Sequence, residues 1–143
     1  MQHLILTIVL LFSSVTVSFA QESEVNLIGK TIEVSVMNTL SDKGEVRFAI
    51  YTKENFRKQS LSSKSSTINN GKSSVTFENI SEGAYAVVCY HDENNNGTMD
   101  FHENGMPKES YATSNNTLNF GPPQFENAKF EVANEDLKLE IKF

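Results

Sequence analysis

Apolar and polar residues alternate with a period of two in several short bursts along this chain. Ile32, Val34 and Val36 alternate with Thr31, Glu33 and Ser35, and Val46, Phe48 and Ile50 with Glu45, Arg47 and Ala49. Val75 and Phe77 keep the rule. So do Ala128, Phe130 and Val132 against Lys129 and Glu131, and Leu137, Leu139, Ile141 and Phe143 against Lys138, Glu140 and Lys142. Successive side chains of a strand point to opposite faces, so each burst predicts a strand with one apolar and one wet face. The stretch 85–90 is apolar on both faces and reads as a central strand. Asn70-Gly71 predicts a hairpin between a weak strand at 66–68 and the strand from Ser73, and Asn134-Glu135-Asp136 predicts another between the last two strands. No segment carries a helical period of useful length.

Half-wet strands favour antiparallel sheets, and one such sheet cannot bury its apolar face alone. The predicted fold is therefore all-β: a small antiparallel β-sandwich, immunoglobulin-like or transthyretin-like, of about seven strands. Its core is expected to hold Ile32, Val34, Val46, Phe48, Val75, Phe77, Val87, Phe130, Leu139 and Ile141. Two stretches fall outside this scaffold. Residues 52–64, rich in Lys, Ser and Asn, read as a surface connection. Residues 91–125 form a connection too long to be idle in a compact domain.

The start of the chain changes the picture. Residues 1–20 contain no Asp, Glu, Lys or Arg, and Leu4 to Phe12 are strongly apolar apart from Thr7. Ser18-Phe19-Ala20 then supplies small residues at cleavage positions, so 1–20 is expected to be a signal peptide and the protein to be exported, periplasmic or extracellular. His3 is the only residue near the front with any basic character. The apolar run is short for a membrane span, and no Cys follows Ala20 to take a lipid anchor. Residues 21–143 then make one domain with no membrane span after cleavage.

With 12 basic and 18 acidic residues the net charge is −6, and no basic patch appears, which argues against nucleic-acid partners. Cys89 is the only cysteine, so no disulfide closes within the chain. Its apolar surroundings predict a buried, inert thiol.

The sharpest chemical signal lies in 92–103, which read D-x-N-x-N-G-x-x-D-x-x-E. Asp92, Asn94 and Asn96 offer side-chain oxygens at positions one, three and five. Gly97 falls where the backbone turns, and the Thr98 carbonyl falls at position seven. Asp100 and Glu103 complete the spacing of a calcium loop. Ca²⁺ as a structural ion is the expectation, with Asp92, Asn94, Asn96, Thr98, Asp100 and Glu103 as ligands. The alternative is a metal-free turn in which Asn and Asp side chains bond to their own backbone. EF-hand helices do not flank the loop. His91, His102 and Cys89 make a poor zinc set, and the histidines read as satisfied surface or loop residues.

Several motifs resemble those of the domain-of-unknown-function family numbered 2141. They are FENISEGAYAVVCYHDEN at 77–94, NGTMD at 96–100, GMP at 105–107, ESY at 109–111, SNN at 114–116, GPPQF at 121–125 and AKF at 128–130. The resemblance spans about 32–143. It implies an exported bacterial protein, of a kind common in Bacteroidetes-type organisms, with a single all-β domain, and it supplies no activity. Residues 79–85 also resemble a strand of transthyretin-like and collagen-adhesin B-type domains, at the level of fold alone. Cys89 stands where the family pattern has an apolar residue, and Ala84 where Thr is frequent.

Three classes of function follow. Acid pairs drawn from Asp92, Glu93, Asp100, Glu103 and Glu109 suit glycoside cleavage, but chelation explains so dense a cluster better. Ser110 and Ser114 form no nucleophile motif with the histidines, so no enzyme is expected. A binding module with a calcium-stabilised loop is the principal expectation. Tyr90, Phe101, Tyr111, Phe120 and Phe125 sit near the loop, where they would either face a protein or glycan partner or pin the loop to the sheets. The third class is a structural envelope or extracellular matrix component with no metal.

Overall fold

A computed structural model describes residues 29–117 and 121–143. The expected signal peptide, 1–20, and Phe120 lie outside the described residues. Among the described residues eight strands form: β1 Lys30–Val36, β2 Glu45–Tyr51, β3 Ser62–Thr67, β4 Ser73–Ile80, β5 Gly83–Asp92, β6 Tyr111–Thr113, β7 Phe130–Val132 and β8 Leu137–Ile141. A 3-10 turn at Ser114–Asn116 and a short helix, α1, at Phe125–Ala128 separate β6 from β7.

The strands make two facing sheets. One runs β4-β1-β8; the other runs β3-β2-β5-β6, with β7 added against the start of β5. The alternating positions decide what lies between them. Ile32, Val34, Val36, Val75, Phe77 and Ile141 from the first sheet meet Val46, Phe48, Ile50, Tyr85, Val87 and Cys89 from the second in one core. Every expected core residue is buried except Phe130 and Leu139, which are half-buried against the core. Burial pushes the Cys89 thiol well above its ordinary range and keeps it protonated.

Five expectations are corrected. The sandwich is not purely antiparallel, because β8 pairs in parallel with β1, Val34 opposite Leu139. The Asn134-to-Asp136 segment makes no hairpin: β7 belongs to one sheet and β8 to the other, and Asp136 Oδ1 accepts the Thr31 N–H at 2.8 Å. Asn70 and Gly71 do turn with positive φ (51° and 74°), and Asn69 bridges Lys72, but β3 and β4 then part into different sheets. The strand near Ile68 begins earlier, at Ser62, inside the expected surface connection, and pairs its six residues with β2. Ala128 does not share a strand with Phe130 and Val132. It ends α1 and packs, fully buried, with Ala86 and Phe125 in a second apolar cluster.

The strand β5 organises the functional region. Its odd residues from Tyr85 to Cys89 face the core, and His91 follows them in phase. Its even residues face the outside of the larger sheet. On that outer face Ala86 lies under Phe125 and Phe56, and Asp92, with 0% exposure, lies under the long connection. Val88 and Tyr90, between these covers, are only half-buried.

Candidate functional site

Asp92 is both the last residue of β5 and the first of the acidic loop. Its carboxylate is held from three directions. Oδ1 accepts the Asn96 N–H at 3.1 Å, and Oδ2 accepts the Gly97 N–H at 2.9 Å and Arg47 Nε at 3.0 Å. The loop can wrap back because Asn95 and Gly97 take positive φ, 55° and 82°. Asn94 Oδ1 also accepts the Asn96 N–H, and Asn96 Oδ1 accepts the Thr98 N–H and hydroxyl at 2.9 and 3.1 Å. Both amide groups then converge on one atom: Asp100 Oδ2 accepts Asn94 Nδ2 at 2.7 Å and Asn96 Nδ2 at 3.1 Å.

Asp92, Asn94, Asn96 and Asp100 are thus brought together, and Thr98 is tied in through Asn96. Glu103 is not joined to them by any hydrogen bond among the described residues. It is exposed, in the turn where His102 accepts the Gly105 N–H at 2.8 Å through its carbonyl. Among the described residues no three Asp, Glu, His or Cys side chains form a metal-holding group. Two of the six expected ligands are amides, which the spacing motif counts and an acid cluster does not.

Glu109 matters more than the spacing suggests. Its Oε2 accepts the Asp100 N–H at 3.1 Å, while its Oε1 is buried with no hydrogen-bond partner. A buried carboxylate oxygen without a donor is costly. Glu109 lies beyond the twelve-residue register, so loop spacing alone does not select it as a ligand. The return of the chain brings it back: Lys108 N–H bonds to the Asp100 carbonyl at 2.8 Å, and His91 N–H to the Ser110 carbonyl at 2.9 Å.

The surrounding charges are coupled. Arg47 also meets Glu45 at 2.9 Å. Burial pulls the guanidinium down, but Tyr90, Glu45 and Asp92 outweigh it and raise its affinity for the proton. Burial raises the Tyr90 phenol; Arg47 opposes this, and Asp92, Glu109 and Glu45 add to it.

His91 and Ser114 have structural partners. His91 is not a surface histidine: it is 3% exposed, stacks on Phe143 and places Nε2 2.7 Å from the Lys43 carbonyl. Ser114 is buried, its hydroxyl bonded to the Ala128 and Val87 carbonyls and to the Val87 N–H. Of the loop aromatics, Phe125 is buried, Tyr90 and Tyr111 are half-buried, and Phe101 is 54% exposed. Met106 is 62% exposed beside Pro107, which bridges Phe101. Among the described residues no helix is long and apolar enough to cross a membrane.

Fold and loop together define a small two-sheet β-sandwich domain with an ordered acidic connection on one end. The chain belongs to the family of uncharacterized proteins conserved in bacteria, DUF2141, whose model matches residues 34–140. No curated protein and no solved structure matches it.

Proposed function

We propose that this protein is an exported, non-catalytic recognition domain whose long β5–β6 connection is ordered by Ca²⁺. The observation that carries this reading is the buried, unpartnered Oε1 of Glu109 beside the ring formed by Asp92, Asn94, Asn96 and Asp100. The carboxylates of Asp92 and Asp100 and the amide oxygens of Asn94 and Asn96 are the hard oxygen ligands that a calcium ion takes. Asp92, Asn94, Asn96, the Thr98 carbonyl and Asp100 would hold it, with Glu109 Oε1 as the nearer sixth ligand in place of the exposed Glu103. Asn94 and Asn96 would turn their oxygens toward the ion that replaces their N–H groups at Asp100. The ion would neutralise the carboxylates and fix the connection, and the exposed Phe101 and Met106 at its tip would then be presented to a protein or glycan partner.

A metal-free reading, as a structural envelope or matrix component, has its own support. Arg47 already supplies positive charge to Asp92, and the two amides already satisfy Asp100 Oδ2. Calorimetry on metal-stripped protein separates the two. The calcium reading expects saturable Ca²⁺ binding with Kd on the order of 10⁻⁴–10⁻³ M, as in extracellular modules, and slower amide exchange across 93–110. Absence of heat at millimolar Ca²⁺ leaves the metal-free network.

A further inference from the structure

We propose that the outer face of the five-stranded sheet carries a binding trough for an uncharged polysaccharide chain. The inference rests on the recognition reading above but not on its calcium ion. Side-chain height along the sheet makes the trough. Ser63, Ala49 and Val88 are direct cross-strand neighbours on β3, β2 and β5 and form a low row. Taller residues stand on either side: Tyr51 two residues along β2 in one direction, and Arg47 with its cross-strand partner Tyr90 in the other. At about 3.3 Å per residue the two walls are about 13 Å apart.

Both walls are fixed. Tyr51 packs edge-on to Phe56, and Phe56 edge-on to Phe125, each at 5.6 Å between ring centres. Arg47 is anchored on Asp92 and Glu45. The trough holds about 260 Å³ and lies open along the sheet. That is below the roughly 300–1,000 Å³ of sites that enclose a whole small molecule, so a chain lying across the sheet fits better.

The chemistry selects the ligand class. Ala49 and Val88 give a half-exposed apolar floor, and Tyr51 and Tyr90 bring ring surface to the walls. The hydroxyls of Ser63, Tyr51 and Tyr90 make no hydrogen bond among the described residues, which leaves donors and acceptors at the rim. Two cations line it: Arg47 is neutralised by Glu45 and Asp92, whose carboxylates it occupies, and Lys64 donates from Nζ to the Thr76 carbonyl at 2.6 Å. A polyanion would meet one ammonium, already turned onto a backbone carbonyl, and a protein of net charge −6, and a basic peptide would meet no free acid. A sugar ring has an apolar face for the floor and rings, and hydroxyls for the rim, without charge.

The test is titration calorimetry of the full exported domain with soluble hexasaccharides of β-linked glucose, xylose, mannose and N-acetylglucosamine, in Ca²⁺ and again in EDTA. At least one should bind at millimolar concentration under both conditions. Tyr90→Ala and Ala49→Glu should each weaken it about tenfold, a loss of ~1.4 kcal/mol. Ser63→Lys, at an exposed edge position that folding tolerates, should weaken it as well, with melting unchanged. Phe101→Ser should leave it intact. Failure of all four sugars overturns the trough. Binding lost in EDTA or with Phe101→Ser, but retained in the trough variants, also overturns it; recognition would then sit on the loop, and the proposed function would stand.

Discussion

Arg47 Nε lies 3.0 Å from Asp92 Oδ2, joining the half-exposed outer face of β2 to a carboxylate with no exposure at the end of β5. This contact fastens the acidic loop to the sandwich, because the same oxygen also accepts the Gly97 N–H. Asp92→Ala should therefore strand the Asn96 and Gly97 amides and leave Arg47 with Glu45 alone. A loss of about 1–3 kcal/mol in urea denaturation is expected, with amide exchange at 96–97 accelerated first. Unchanged exchange there would mean the loop is held by something other than Asp92.

Calcium should act on the loop and not on the sheets. Stripping it should speed exchange across 93–110 while protection in β1, β2 and β5 persists, since their core is complete without the loop. Asp92→Asn and Asp100→Asn should weaken Ca²⁺ binding, and Mg²⁺ should compete poorly because it prefers a smaller, more regular shell. Asn95 has φ 55°, so Asn95→Gly is the control that keeps the turn; it should bind Ca²⁺ like the parent.

The core assignments predict large effects at fully buried aromatic positions. Phe48 is 0% and Phe77 1% exposed, from opposite sheets. Phe48→Ala or Phe77→Ala should each cost about 3–5 kcal/mol, through lost burial and the cavity left behind. Chemical denaturation measures this directly, and a parent-like midpoint for either would refute its place in the core.

Gly44 should tolerate no side chain. Its φ is +71°, and a Cβ there would stand 1.9 Å from the Asp92 carbonyl oxygen, a backbone atom that cannot swing away. Gly44→Ala should lower stability by more than the ~1 kcal/mol of an ordinary positive-φ substitution and should disturb the loop as well, visible as faster exchange at Gly97. A variant with parent-like melting would show that β2 and β5 can separate there freely.

Alkaline pH should unfold the protein through Cys89. Burial raises its folded pKa well above the ordinary value of 9.0. The folded thiol therefore keeps its proton where the unfolded one loses it. Its contribution is fully present below about pH 9 and falls as pH rises, by up to ~1.4 kcal/mol per pH unit. Tyr51 and Tyr90, also raised by burial, add to the slope above their ordinary 10.0. Cys89→Val should flatten the decline between about pH 9 and 10. An unaltered stability profile would place the alkaline sensitivity elsewhere.

Period-two alternation by itself picked out most of the core, though not the place of Ala128, because strand geometry sends alternate side chains to opposite faces whatever the partner strand. Loop spacing in the same way picked out Asp92, Asn94, Asn96 and Asp100, which local turns at Asn95 and Gly97 bring together. Alternation carries no information about which strand pairs with which. Hence the parallel β1–β8 pair, and the separation of β3 from β4 and β7 from β8 into different sheets, were decided only when two apolar faces closed on each other. The serine-rich β3 has no apolar rhythm to announce it; its place comes from the free edge of β2. The same holds for the residues that complete the site. Arg47 reaches Asp92 across 45 positions, and Glu109 returns beside Asp100 through the folded-back connection. Those contacts are made between segments distant in the chain, and only the tertiary structure sets the distance between them.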